Sequence, residues 1–302
     1  MRSLGDPFVR RAPNELIHWW ASLPFLGMHV ACLLAFWTGV SPMAVTVSVA
    51  LYVIRMFAIT AGYHRYFSHR SYKTSRAFQF VLAWTGGMSA QKGALWWASH
   101  HRTHHALSDT EEDLHSPVTR GFWWSHIGWF LCRKYHETDL RLIKDLIRYP
   151  ELRFLDRFHL LPPATLAVGI FALGKSLQVV APAMKTSGSQ MLVWGFFVST
   201  VLVYHGTFIV NSLAHVWGGR RFPTKDASRN NLLIALITLG EGWHNNHHYA
   251  PSSERQGFYW WEIDISHCIL KILSGCGLVW DLQAPPPRAY ETHSYDRAHL
   301  CR

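Results

Sequence analysis

Histidines at i, i+3 and i+4 share one face of an α-helix, and imidazole is the commonest side-chain ligand of transition metals. The chain carries that spacing twice, as His101-Arg102-Thr103-His104-His105 and as His244-Asn245-Asn246-His247-His248. With 20 histidines in 302 residues, composition alone predicts roughly 0.1 such copies. Two smaller groups join them. His64 and His69 flank Arg65-Tyr66-Phe67-Ser68. Their spacing of five does not fit one α-helical face, so at least one of the pair must sit at a helix end or irregular turn. His215 follows Asn211 by four residues, so both can point at one site from a single helix.

These nine neutral imidazoles suit Fe(II), Zn or Cu rather than Mg or Ca. They are too many for one tetrahedral zinc. Shared between two octahedral metals, they leave positions for water or O2. Iron is the favoured metal, because a redox-capable site this rich in histidine fits an oxidation reaction. Neutral ligands leave the metal charge uncompensated, so carboxylates should accept the remaining ring N–H groups. Asp109, Glu112, Asp113 and Glu241 are the candidates, each of which has an ordinary solvated carboxylate as its alternative. The other histidines have blander readings. His18, His29, His126, His136, His159, His205, His267, His293 and His299 are read as structural, and His100 and His115 as contacts of the cluster left undecided. Glu112/His115 and Glu241/His244 match the Glu-x-x-His spacing of soluble carboxylate di-iron bundles. The further glutamates of those bundles are absent, so coincidence is the better account. H-E-x-x-H is absent too, which weighs against a zinc peptidase.

The elements that must position these rings are apolar. Hydrophobic residues make up 49% of the chain and charged residues 16%. Runs at about 16–40, 43–62, 160–182 and 190–210 are long enough to span a bilayer. The turns near Ser41-Pro42 and at 185–189 are short, so the four form two antiparallel hairpins. Arg55 interrupts the second run, so one of its faces should look onto protein or the site rather than lipid. The fold class expected is an all-α integral membrane protein, with four transmembrane helices in two hairpins and a cytoplasmic helical cap at 63–159 and 211–282. Residues 78–97 read as a helix buried against protein, 137–159 as a solvated helix and 257–273 as an interfacial helix. Residues 1–15 read as a flexible arm and 283–302 as a disordered tail. The net charge of +10 lies in the termini and the histidine-rich segments, not in the hairpin turns. That pattern implies positive-inside orientation against anionic lipid rather than nucleic-acid binding, with termini and site cytoplasmic. The five cysteines have no paired spacing, so no disulfide framework or C-x-x-C zinc site is expected.

HRYFSH (64–69), HRTHH (101–105), NSLAH (211–215) and GEGWHNNHH (240–248) resemble the histidine boxes of membrane fatty acyl Δ9 desaturases of the stearoyl-CoA desaturase type. The resemblance runs from about 45 to 280. It implies two irons held by the nine histidines, with Asn211 acting through a metal-bound water. It also implies O2 as co-substrate, two electrons, and removal of two hydrogens from adjacent methylenes to leave a cis double bond. The protein would supply position and dryness. An acyl chain has no polar handle at its middle, so an apolar tunnel of fixed depth must choose the carbon. Trp96, Trp97, Trp123, Trp124 and Trp243 are candidate lining, with core packing the first reading for any single one. Where animal acyl-CoA members carry an Arg-Asp pair before the second box, this chain has Ser99 and His100. CoA, acyl carrier protein and a glycerolipid all remain open as carriers. No His-Pro-Gly-Gly haem signature occurs, so the electron donor would be separate, a ferredoxin or a b-type cytochrome. Basic residues at 133–153 and 220–229 could dock it, though lipid-facing or solvated charge explains them as well. The rival readings are a hydroxylase on the same scaffold, a membrane metal transporter, which predicts histidines strung along the spans, and a zinc hydrolase, disfavoured by ligand number.

Overall fold

A computed structural model describes residues 13–291. The described residues are mostly helical, with almost no strand. Helices α1 (Trp19–Thr38) and α2 (Pro42–Ser68) form the first hairpin. The cap follows with α3 (Arg76–Gly87), α4 (Ala94–Leu107), α5 (Phe122–His126) and α6 (Pro150–Arg157). A second hairpin, α7 (Leu161–Val180) and α8 (Gly188–His215), precedes α9 (Leu232–Ile237), α10 (His244–Tyr249), α11 (Ile265–Gly275) and α12 (Arg288–Glu291). Only α1, α2, α7 and α8 are long and apolar enough to cross a membrane among the described residues. A two-residue antiparallel ladder, β1 (Lys73–Thr74) with β2 (Val279–Trp280), ties the chain end to the cap.

Local chemistry sets the boundaries. Ser41 caps α2 by accepting the Ala44 N–H, with Pro42 at the first helical position. Ser75, Ser187, Asn231 and Asp264 cap α3, α8, α9 and α11 in the same way. Gly39 (φ +68) makes the left-handed turn out of α1. The two hairpin turns lock together through α8. Gln190 accepts the Ser41 hydroxyl at 2.6 Å and donates to the Thr38 carbonyl at 3.0 Å, while the Trp194 indole donates to Gly39. Arg55 is fully buried. It donates to Ser199, Thr200 and the Leu51 and Met88 carbonyls, so a cation inside a spanning helix faces protein.

Four segments depart from their sequence reading. The apolar stretch 78–97 is two helices, because Met88–Gly93 turns between α3 and α4, with Ala90 and Lys92 at positive φ. Residues 137–159 are short helical turns and α6 rather than one solvated helix. Pro150 starts α6, and Ile143, Leu146, Leu152 and Leu155 enter the core beneath α2 and α4. The interfacial helix begins only at Ile265, where Asp264 caps it, leaving Trp260 and Trp261 exposed in the preceding loop. The tail is docked as far as residue 291: the Gln283 backbone bonds Ser71 and Glu254, and Ala289 is buried in α12. At the other end Glu15 is buried between Arg120 and Lys134. The remainder of the expected arm and tail lies outside the described residues.

Candidate metal centre

The last eleven residues of α2, Ala58–Ser68, are π-helical. Bonds from i to i+5 bring residues five apart onto one face, and this resolves the spacing of the first box. His69 ends that turn. Arg102 of α4 secures it by donating to the Phe67 and Ser68 carbonyls and to Asp145. His101, His104 and His105 project from one face of α4, and His244, His247 and His248 from α10. His215 sits where α8 tightens into its last 3-10 turn.

All nine rings meet, and they meet in two sets. His64, His69, His101, His105 and His247 bring one nitrogen each to within 4.8 Å of one another, as do His104, His215, His244 and His248. Within the first set the Nε2 atoms of His69 and His101 are 2.8 Å apart, and those of His247 lie 2.9 Å from His105 and 3.0 Å from His64. Within the second, His244 Nε2 is 3.0 Å from His215 and 3.1 Å from His248. Several imidazole nitrogens converging on one point from separate helices is the arrangement that a shared cation would bind.

Carboxylates hold the outward nitrogens. The Nδ1–H groups donate from His64 to Glu241 (2.5 Å), His104 to Asp113 (3.0 Å), His215 to Asp109 (2.8 Å) and His248 to Asp226 (2.8 Å). That fixes each ring with Nε2 free for a metal. Three of the four expected carboxylates take this place. Glu112 is exposed and makes no such bond among the described residues, and Asp226 supplies the fourth instead. Asp226 stands 22 residues before His248, a separation with no helical meaning, so no spacing signal marked it. Gln256 donates to Glu241, and Arg65 pairs with Glu241 and Asp264, which steadies the His64 arm. Glu241 bonds His64 rather than its sequence neighbour His244, so that Glu-x-x-His spacing is incidental.

Burial pushes His69, His101, His105, His244 and His247 well below the ordinary imidazole range, and His248 to about 4, leaving them neutral and ready to ligate. Burial also pulls on His104, but Asp113, Asp109 and Asp226 outweigh it and hold that ring above its ordinary value. Asp109 is drawn down to about 2 despite its burial, chiefly by His215. The second set therefore sits in a negative field that favours a cation. The donor set fits a pair of transition metals and does not fit one closed tetrahedral ion.

A cavity of about 620 Å³ ends against this centre. His101, His115, Trp97 and Asn211 form its metal-side wall; Phe25, Met28, Phe130, Phe196, Tyr204 and Phe208 line the rest. Trp97 stacks on His101 at 5.0 Å. A second space of about 30 Å³, bounded by His64, His101, His104, Thr207 and Asn211, has room for a water-sized molecule. Asn211 borders both. Of the five candidate tryptophans, Trp96 and Trp97 line the main cavity. Trp123 is exposed, while Trp124 and Trp243 bond the Leu114 and Ile263 carbonyls away from it. His100 bonds the Trp96 carbonyl and lines the cavity. His115 packs on His104 at 4.2 Å. Of the histidines read as isolated, His29, His205 and His126 form a bonded chain that ends on Ser212.

Residues 40–271 match the family model described as fatty acid desaturase. An sn-1 stearoyl-lipid 9-desaturase of Anabaena variabilis is 36% identical, over 91% of this chain and 97% of that protein. A chloroplastic palmitoyl-monogalactosyldiacylglycerol delta-7 desaturase of Arabidopsis thaliana is 35% identical, over 93% and 75%. An acyl-CoA 5-desaturase of Anemone leveillei is 38% identical, over 86% and 77%.

Proposed function

The chain belongs to the fatty acid desaturase family and is an oxygen-dependent membrane acyl desaturase, and from that premise we propose that it introduces a cis Δ9 double bond at a di-iron centre. The reading assigns one iron to His64, His69, His101, His105 and His247, and the other to His104, His215, His244 and His248 with Asn211 through a water. The reaction takes a saturated chain, O2, two electrons and two protons to the alkene and two waters. Two irons bound there supply the one-electron chemistry that activates O2. The residues do the rest. Asp109, Asp113, Asp226 and Glu241 fix the rings before metal arrives. The aromatic wall excludes water and holds a methylene pair against His101 and Asn211, so geometry alone selects the carbon. Residues 16–282 make up the catalytic unit, with the cap formed by 63–159 and 211–282 on the cytoplasmic side, where the basic residues concentrate. A separate ferredoxin or b-type cytochrome delivers the electrons.

The observation that carries this reading is the abutment of two imidazole sets on the wall of an apolar cavity. Gas chromatography with mass spectrometry of total fatty acids from a host expressing the chain tests it. New cis-9 monounsaturated chains are expected. Hydroxylated chains, or an unchanged profile with metal-loaded protein present, would contradict it.

A further inference from the structure

The cavity reaches from the cap to the flanks of two spanning helices. Its lining includes Ala21, Pro24, Phe25 and Met28, the i, i+3, i+4, i+7 stripe of α1, and Leu160, Pro163 and Ala164 at the start of α7. α1 packs on α8, and α7 on the start of α8 and on α3, so the two helices stand as separate walls. The exposed lining residues sit on these walls: Ala21 and Pro24 on one side, Leu160 and Ala164 on the other. All four lie within two turns of the helix ends that meet the cap. Trp19 and Trp20, 67% and 80% exposed, mark the same level on α1, where tryptophan anchors helices among lipid headgroups.

We propose that this slot between α1 and α7 admits the acyl chain sideways from the bilayer, so that the substrate is an acyl chain still esterified to a membrane glycerolipid. The inference rests on the desaturase reading above and adds the carrier to it. The polar groups facing the cavity suit an ester and its glycerol or sugar neighbours. His100, His136 and His159 line it as hydrogen-bonding groups. Lys92 is the one fixed cation among the described lining residues, and its ammonium is already held by the His136 carbonyl at 2.6 Å. A CoA carrier brings a pyrophosphate and a further phosphate, which call for several arginines or lysines at the rim. Of the cations nearby, Lys134 and Arg120 are taken up by Glu15 and Arg133 bonds the His18 ring. An acyl chain of a bilayer lipid already lies among the side chains that flank the slot and needs no transfer through water.

The test uses the full-length iron-loaded protein in vesicles, reduced with dithionite and then given O2 for one turnover, which removes the identity of the electron donor from the result. One set of vesicles contains stearoyl-bearing phosphatidylglycerol, phosphatidylcholine and monogalactosyldiacylglycerol. The other is dioleoyl-phosphatidylcholine with added stearoyl-CoA. Unsaturation should appear in the intact glycerolipid, with stearoyl-CoA converted at least tenfold less. Ala21→Trp and Ala164→Trp, which fill the slot, should each lower lipid conversion at least tenfold with iron content unchanged. A stearoyl lipid carrying a diazirine beside its carbonyl should cross-link within 21–28 or 160–164 of the unmutated protein. Preferential conversion of stearoyl-CoA, full activity in both tryptophan variants, or cross-links confined to the cap would overturn lateral access and leave the desaturase reading intact. Conversion of neither substrate by iron-loaded, reduced protein would overturn the desaturase reading itself and this inference with it.

Discussion

His64 and His69 are one π-turn apart: the His69 N–H donates to the His64 carbonyl at 3.2 Å, and the two rings lie 4.9 Å apart and nearly perpendicular. A regular α-helix would have turned them to different faces. The wider turn leaves carbonyls at its end without helical partners, and Arg102 accommodates two of them while pairing with Asp145. Arg102→Ala should therefore free the turn, and Arg102→Lys should not rescue it, because an ammonium cannot serve two carbonyls and a carboxylate in one plane. Iron affinity of the five-histidine set should fall by about 10–100-fold, read by competition with a chelator. Unaltered affinity in Arg102→Ala would remove this role.

The fourth ring–carboxylate pair makes a sharper case. Asp226 accepts from His248 at 2.8 Å, whereas Glu112 lies on the surface. Asp226→Ala is expected to cost about 10–100-fold in metal affinity or activity, with Glu112→Ala at the level of the unmutated protein. Equal effects from the two substitutions would show that the rings do not depend on these bonds.

The histidine boxes were legible in sequence because their signal is local. Two copies of a three-histidine face cannot avoid being noticed, and the four apolar runs fixed both hairpins and the end at which the boxes emerge. What was illegible depended on distant pairing. Asp226 reaches His248 through a loop held by Arg220 and Asn245, and no periodicity encodes that. The π-turn at 58–68 differs from an α-helix by hydrogen-bond register alone, although the spacing of five already required something irregular. The helices of 137–159 looked solvated because their charges outnumber the few leucines and isoleucines that enter the core. The tail past Gln283 looked disordered because its prolines and polar residues dock through backbone bonds and one small apolar side chain, Ala289.

Acid should destabilise the metal-free protein in two stages. His69, His101, His105, His244, His247 and His248 have folded-state values below the ordinary 6.5, so they stay neutral while the unfolded chain takes up protons. Their contribution is complete above about pH 6.5 and is lost as pH falls toward the folded values. For His248, lowered to about 4, that amounts to about 3 kcal/mol. Asp109 is depressed to about 2, so its contribution survives to about pH 4 and disappears only as pH falls through 2. Thermal melts of metal-free protein in detergent should show Tm falling from pH 6.5 to 4, with a smaller fall in His248→Gln. A Tm flat across that interval would contradict the neutral, buried state of the rings.

Close packing of α3 on α2 places Gly86 against Tyr63, where an added Cβ would stand 2.3 Å from the ring. Tyr63 is fully buried in the core below the histidines, so the ring has little room to yield. Gly86→Ala should cost about 1–3 kcal/mol, seen as a Tm lower by several degrees with the iron sites still able to load. A variant as stable as the parent would mean that the two helices separate easily.

Metal analysis of the purified full-length chain tests the central claim most directly. The account predicts two irons per chain, and a fall in that number for His247→Ala, in the five-histidine set, and for His244→Ala, in the four-histidine set. A single zinc per chain, or a metal content indifferent to both substitutions, would contradict it.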